Sequence, residues 1–224
     1  MKVFIVIPAY NEEEHIGDVL TSCQHEGFSD LIVVNDGSAD RTGEIAMQQG
    51  AIVVEHYINR GVGAATQTGI EAAKLLGADI VITMDADGQH TPKDISTILH
   101  PIIDQTADIV IGSRFLEKNN TIPLLRRFFN FFANIVTMIL SGRYLTDSQS
   151  GMKGFNAIAL KKITISANGY EFSSEIIREA TYNKLRLSEV PVSVLYTSYS
   201  LSKGQNLATG IVTIFKLIIR SLMR

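Results

Sequence analysis

Asp85 and Asp87 stand one residue apart at the end of the apolar run Ile80 to Met84, and Gln89 follows two positions later. Two carboxylates and an amide oxygen at this spacing can surround one divalent cation. An oxygen-only set favours Mg²⁺ or Mn²⁺, and such an ion would neutralise a diphosphate. The same residues also suit a turn, or the cap of a helix that starts at Pro92. Arg114 closes another apolar run and offers a cation either to phosphate or to a surface ion pair. Asn11 with Glu14 reads as a helix cap with acids in the first turn, and Asp36-Gly37 as a turn dipeptide. Asn59-Arg60-Gly61-Val62-Gly63 is glycine-rich ahead of a helix, but its spacing is not that of a dinucleotide fingerprint.

These residues share a position in the pattern of elements. Val3 to Ile7, Leu31 to Val34, Ile52 to Glu55, Ile80 to Met84 and Asp108 to Ile111 are strand-like. Residues 12–24, 40–49, 63–77 and 92–104 carry helical periodicity between them. Strands apolar on both faces, alternating with helices, predict an α/β fold with a mostly parallel sheet covered on both sides. Ligands of such sheets sit beyond the carboxyl ends of the strands, where all of the polar clusters above fall. After residue 116 the pattern predicts a helix of about 19 residues from Pro123, a Gly/Ser/Asp-rich loop at 146–154 and a helix near 172–184. A strand near 187–195 and a last helix from about 206 follow. No repeat or linker separates the halves, so residues 1–224 read as one domain. Residues 116–224 would complete the site that residues 1–115 begin.

Composition narrows the partners. With 46% hydrophobic and 19% charged residues the 224-residue chain is neither disordered nor fibrous, and a net charge of −3 argues against nucleic-acid binding through bulk positive charge. The single Cys23 can form no internal disulfide, which fits a reducing compartment. The N-terminal apolar run stops at Pro8 before three glutamates, so no signal peptide is expected. The longer apolar stretches, Phe128 to Leu140 and Ile211 to Ile219, fall short of the ~20 residues of a bilayer span. They suit lying on a membrane better than crossing one.

The ordered series of motifs is more specific than any member. Val6-Ile-Pro-Ala-Tyr-Asn-Glu-Glu13, Val34-Asn-Asp-Gly-Ser38, Asn59 to Gly63, Asp85-Ala-Asp-Gly-Gln-His90 and Gly112-Ser-Arg114 resemble family 2 glycosyltransferases of the GT-A fold, a Rossmann-like sheet flanked by helices. Asp147-Ser-Gln-Ser-Gly-Met-Lys-Gly-Phe155, Ser174-Glu175, Glu189-Val-Pro191 and Ser202-Lys203 resemble the branch of dolichol-phosphate mannosyltransferases and polyprenyl-phosphate glycosyltransferases. The resemblance implies that Pro8, Tyr10, Glu12 and Asp36, with Asp85, Ala86 and Asp87, hold a nucleotide sugar of the GDP-mannose or UDP-glucose type. It implies Mg²⁺ or Mn²⁺ on Asp87 and Gln89, a catalytic centre at Asp87 and Arg114, and phosphate contacts from Arg126, Arg127 and Lys203. Val62 stands where the family often has Lys, and Thr197 where it often has Arg. These departures leave open a different acceptor, or a module that binds without turnover.

The implied reaction is an inverting, metal-dependent hexosyl transfer to a polyprenyl phosphate by a peripheral protein on the cytosolic face of a membrane. A hydroxyl acceptor would need a general base, for which Asp147, Glu171 and Glu175 are candidates; a lipid phosphate is already anionic. The absence of Trp excludes the Gln-x-x-Arg-Trp motif of processive synthases. Lys216, Arg220 and Arg224 recur on one face of the last predicted helix, which suits either an anionic interface or a docking helix. In the helix from Pro123, the stripe Arg127, Asn130, Asn134, Thr137 and Ser141 suits burial against the domain or contact with lipid.

Overall fold

The computed structural model describes residues 1–118 and 121–195. The last predicted helix, with Lys203, Lys216, Arg220 and Arg224, lies outside the described residues, as does Thr197. Strands β1 (Val3–Ala9), β2 (Leu31–Asp36), β3 (Ile52–His56) and β4 (Ile80–Thr83) alternate with helices α1 (Ile16–His25), α2 (Thr42–Gln48) and α3 (Val62–Leu75). Helix α4 (Ile95–Ile103), β5 (Ile109–Ser113) and α5 (Leu124–Ser141) follow, then β6 (Lys153–Asn156), α6 (Ala157–Lys162), α7 (Phe172–Tyr182) and β7 (Leu187–Pro191).

All seven strands form one sheet in the order β3-β2-β1-β4-β6-β5-β7. Only β6 runs antiparallel, between β4 and β5. Along β1 the side chains alternate: Ile5 and Ile7 join the core under α1 and α4, while Phe4 and Val6 join the core under α3, α6 and α7. Burial on both faces explains why these strands are continuous apolar runs rather than alternating ones.

Three departures from the sequence reading have local causes. The first helix starts at Ile16, not near 12, because the backbone N–H groups of Asn11, Glu12 and Glu13 are taken by Ser38, Thr42 and Asp40 across the next loop. Asn11 is therefore no helix cap. It sits at φ 53, a left-handed conformation that Asn tolerates, and its Oδ1 accepts from the Ala39 N–H. The predicted 146–154 loop ends in β6, whose Lys-Gly-Phe-Asn sequence carries no strand signal. A Cβ on Gly154 would come within 2.5 Å of Ile98, so glycine lets α4 pack directly onto this strand. Helix α6 has no periodic signal in the chain either; Asn156 Oδ1 caps it by accepting from the Ile158 and Ala159 N–H groups, both at 2.9 Å.

Helix α5 is built the other way round from a core helix. Its buried residues are Asn130, Asn134, Thr137 and Ser141, all polar. Leu124, Leu125, Phe128, Phe131, Phe132 and Ile139 are exposed. Both Asn130 and Asn134 donate to the Thr146 carbonyl, the Asn134 Oδ1 accepts from the Ser148 N–H, and Thr137 meets Ser174 at 2.7 Å. Directional hydrogen bonds from the buried polar stripe, beside the half-buried Phe129, Ala133, Ile135, Val136 and Leu140, hold this helix on the domain.

Candidate active site

A cavity of 610 Å³ opens beyond the carboxyl ends of β1, β2 and β4, and α5 and Tyr170 close its far side. It gathers Pro8, Tyr10, Glu12, Asp36, Asp85, Ala86, Asp87, Gln89, Arg114 and Arg126 from segments far apart in the chain. Arg127 is exposed and not among the lining residues, one position round the helix from Arg126.

Asp36 ends β2, and its carboxylate closes the loop after β3. Oδ1 accepts from His56 Nδ1 at 2.6 Å and from the Arg60 N–H at 3.0 Å, and Oδ2 accepts from the Gly61 N–H at 2.8 Å. Gly61 is at φ 99, and a Cβ there would strike the Asn168 carbonyl. The glycine-rich stretch thus fits the 168–169 turn closely.

Beyond β4, Asp85 lies against Gly151, whose missing side chain makes room for the carboxylate. Desolvation in the cavity pushes the Asp85 carboxyl up, against the pull of Lys153 and Arg114. Asp87 is also raised, first by desolvation and then by the neighbouring Asp85 charge. An acid raised by burial, beside a second acid raised by burial and by the first one's charge, forms a pair that a divalent cation would relieve. Gln89 turns its Nε2 onto Asp87, while its Oε1 accepts from Arg126 at 3.3 Å. Among the described residues no cluster of three His, Cys, Asp or Glu side chains is poised for a metal. The carboxylates of Asp85 and Asp87 and the amide oxygen of Gln89 are hard donors, a set that suits a divalent cation completed by substrate phosphates.

Arg114 is clamped by Asp147: Nε donates to Oδ2 at 2.6 Å, Nη2 to Oδ1 at 2.8 Å, and the Arg114 N–H also reaches Oδ2. Asp147 is fully buried and does not line the cavity. Glu189 fixes the turn before it, accepting from the Thr146 and Asp147 N–H groups. Glu175 is likewise occupied, by the Ser166 and Ala167 N–H groups and the Ser166 hydroxyl. Glu171, the third candidate base, is buried and outside the lining as well.

Several residues at the site are ones to which the sequence reading assigned no role. His90 is buried with Nδ1 unpartnered, and burial followed by Arg114 lowers its pKa to about 4. Tyr170, Gln149, Phe129 and Ala133 arrive from segments after residue 116. Lys153 lies buried behind Asp85, its Nζ bonded to the Ser150 carbonyl and the Ser173 hydroxyl, and burial lowers its pKa to about 8. The Lys-Gly-Phe of a loop-like stretch could not have indicated a buried cation.

Residues 4–164 match the family described as Glycosyl transferase family 2. The chain is a family 2 glycosyltransferase. Among relatives of this glycosyltransferase, a UDP-N-acetylglucosamine–dolichyl-phosphate N-acetylglucosaminyltransferase of Methanococcus voltae is 38% identical, covering 99% of this chain and 95% of the relative. An undecaprenyl-phosphate mannosyltransferase of Micrococcus luteus is 32% identical over 91% of this chain and 87% of its own. Glucosyl-3-phosphoglycerate synthase from Mycobacterium tuberculosis, solved with Mn²⁺, UDP and glucosyl-3-phosphoglycerate, superposes with a TM-score of 0.77. It covers 99% of this chain and 78% of that one at 19% identity, which establishes the GT-A fold of this glycosyltransferase.

Proposed function

We propose that this glycosyltransferase moves a sugar from a nucleotide diphosphate donor to a polyprenyl phosphate, working as a peripheral protein on the cytosolic face of a membrane. The observation that carries this reading is α5. The same helix that lines the cavity with Arg126, Phe129, Asn130 and Ala133 turns Leu125, Phe128, Phe132 and Ile139 outward. An acceptor with an anionic head and an apolar tail fits both sides of that helix. At 18 residues it is long and apolar enough to span by composition, but its polar side is bonded along its length to the 146–148 turn and α7. Such a helix would lie in the interface plane.

The acceptor chemistry agrees with the occupied carboxylates. Asp147 and Glu175 are committed to other partners, and none of the three candidate bases faces the cavity. A phosphate monoester, largely dianionic near neutral pH with a second pKa of about 6, needs no base. Its oxygen would attack the anomeric carbon from the α5 side as the bond to the donor diphosphate breaks on the opposite side, inverting the centre. A divalent cation on Asp87, with Asp85 and a rotated Gln89 beside it, would offset charge on the departing diphosphate. Arg114, held in one orientation by Asp147, would meet the same growing charge. Support for the lipid acceptor comes also from the named activities of the M. voltae and M. luteus relatives.

The test is incubation of the full chain with nucleotide sugars, Mn²⁺ and vesicles containing polyprenyl phosphate, followed by mass spectrometry of the lipids. A glycosylated polyprenyl phosphate is expected. Transfer only to water-soluble hydroxyl acceptors would overturn the reading.

A further inference from the structure

Asp36 lines the cavity of the proposed donor site, and its partner His56 has no part in the transfer described above. His56 is buried at the end of the edge strand β3, and it is not a cavity-lining residue. Its Nδ1 must carry the proton toward Asp36, because a carboxylate only accepts; its Nε2 meets the Thr68 hydroxyl at 3.0 Å. The ring is therefore fixed at both nitrogens, and its purpose lies in what it does to Asp36.

A carboxylate offers about four lone-pair positions, two on each oxygen. On Asp36, His56 and the Arg60 N–H take both positions of Oδ1, and the Gly61 N–H takes one of Oδ2. One acceptor position remains, on a residue that faces the cavity. Asp36 ends β2, separated from the Asp85–Asp87 pair beyond β4 by β1, two strand spacings or roughly 10 Å. That separation suits a nucleoside whose diphosphate lies at Asp87 and whose base reaches Asp36.

We propose that His56 is a specificity-determining residue: by filling Oδ1 of Asp36 it restricts the base to a pyrimidine with a single imide N–H, that of a uridine-type donor. Guanine presents two adjacent donors, N1–H and the 2-amino group, which need both carboxylate oxygens open. Cytosine presents an unprotonated N3 beside its 4-amino group, so a carboxylate drawn to the amine also meets the ring nitrogen's lone pair, which repels it. The uracil imide presents one N–H, the number that Asp36 can still accept. The inference rests on the cavity being the nucleotide site of the proposed function, and it narrows the donor of that site to one base class.

Calorimetric titration of the full chain with UDP, dTDP, GDP and CDP in the presence of Mn²⁺ tests it. UDP and dTDP are expected to bind roughly 10-fold or more tighter than GDP and CDP, the effect of one hydrogen bond to a charged acceptor. His56→Leu, which removes the Nδ1 donor and opens Oδ1, is expected to raise the GDP-to-UDP affinity ratio about 10-fold. His56→Asn, whose amide N–H can replace Nδ1–H, should keep the original ratio. A purely structural His56 would weaken every nucleotide alike and leave the ratio unchanged, and that result would overturn the proposal. Preferential binding of GDP by the unaltered chain would overturn the base assignment while leaving the transferase reading intact. Binding of none of the four would remove the nucleotide site itself, and both readings with it.

Discussion

The two walls of the cavity are held by different forces. The wall proposed for the donor, at the ends of β1, β2 and β4, stands on a sheet buried on both faces by aliphatic side chains, so its loops hang from an apolar base. The wall proposed for the acceptor, α5 with the 146–149 turn, buries polar side chains and leaves its apolar ones half-buried or exposed. It is fixed by Asn130, Asn134, Thr137, Asp147 and Glu189 through hydrogen bonds and one buried ion pair. The difference has a physical logic. Directional bonds place a helix without consuming its apolar side, which leaves that side to face outward.

The contrast is sharpest where a charge serves ligand rather than fold. Removing the cation by chelation, or replacing Asp87 by Ala, is expected to lower kcat/KM by on the order of 10³-fold, as for loss of a main charge-stabilising group. Thermal unfolding of Asp87→Ala without donor should show no loss of stability, since one of two mutually repelling acids is gone. Steady-state kinetics with and without EDTA, beside a melting curve, separates the two effects. Undiminished turnover after chelation would take the metal out of the donor wall.

On the acceptor wall the expectation reverses. Asp147→Ala removes the bidentate carboxylate from the partly buried Arg114 guanidinium and is expected to cost about 3 kcal/mol. Arg114→Met combined with Asp147→Leu should recover most of that stability and none of the activity, which denaturant unfolding and a transfer assay would read side by side. A double variant that regains turnover would show that the pair is structural only.

The two sides of α5 give a smaller and more direct comparison. Asn134→Leu removes two buried hydrogen bonds and should destabilise by about 1–3 kcal/mol. Phe128→Ser with Phe132→Ser, on the exposed side, should alter stability by less than about 0.5 kcal/mol each yet reduce flotation with vesicles. Equal flotation of this variant and the parent chain would reject α5 as the membrane face.

The smallest effect lies outside both walls. Asp108 ties β5 to Asn156 and to the Arg186 guanidinium and N–H, and these bonds hold its carboxyl well below the usual range. A depressed folded pKa means stability present above the unfolded value of about 3.9 and lost as pH falls below it. Arg186 is half exposed, so solvent screening keeps the contribution small. Unfolding curves should be unaffected by this group from pH 7 to 5 and weaken below pH 4, and Asp108→Asn should remove that share of the slope.

Much of the donor wall was legible in the chain. Strand ends in a parallel sheet are local features: an apolar run, then Pro8 to Glu12, Asp36 or Asp85 to Gln89, with each polar cluster continuous in sequence. Their placement at one edge follows from the parallel pairing of these strands. The family resemblance rests on the same short-range order. The acceptor wall was legible only in part. The polar stripe of α5 was visible as spacing, but whether that stripe faced protein or lipid depends on the 146–148 turn, whose carbonyl and N–H groups are its partners. Strand β6 had no local signal because its register comes from β4 and β5, which flank it from opposite sides in the sheet.

By itself, then, the sequence determined the alternation of strands and helices, the family and the residues that crowd the strand ends, since each depends on neighbours a few positions apart. Tertiary structure alone decided which charges are spent and which face a ligand. Asp147 and Glu175 look as available in the chain as Asp87, and only long-range contacts occupy them. His56, twenty residues from Asp36, acquires its meaning when the parallel pairing of β2 and β3 sets the two side by side. Burial and hydrogen-bond occupancy belong to the packed three-dimensional arrangement, and no short stretch of chain encodes them.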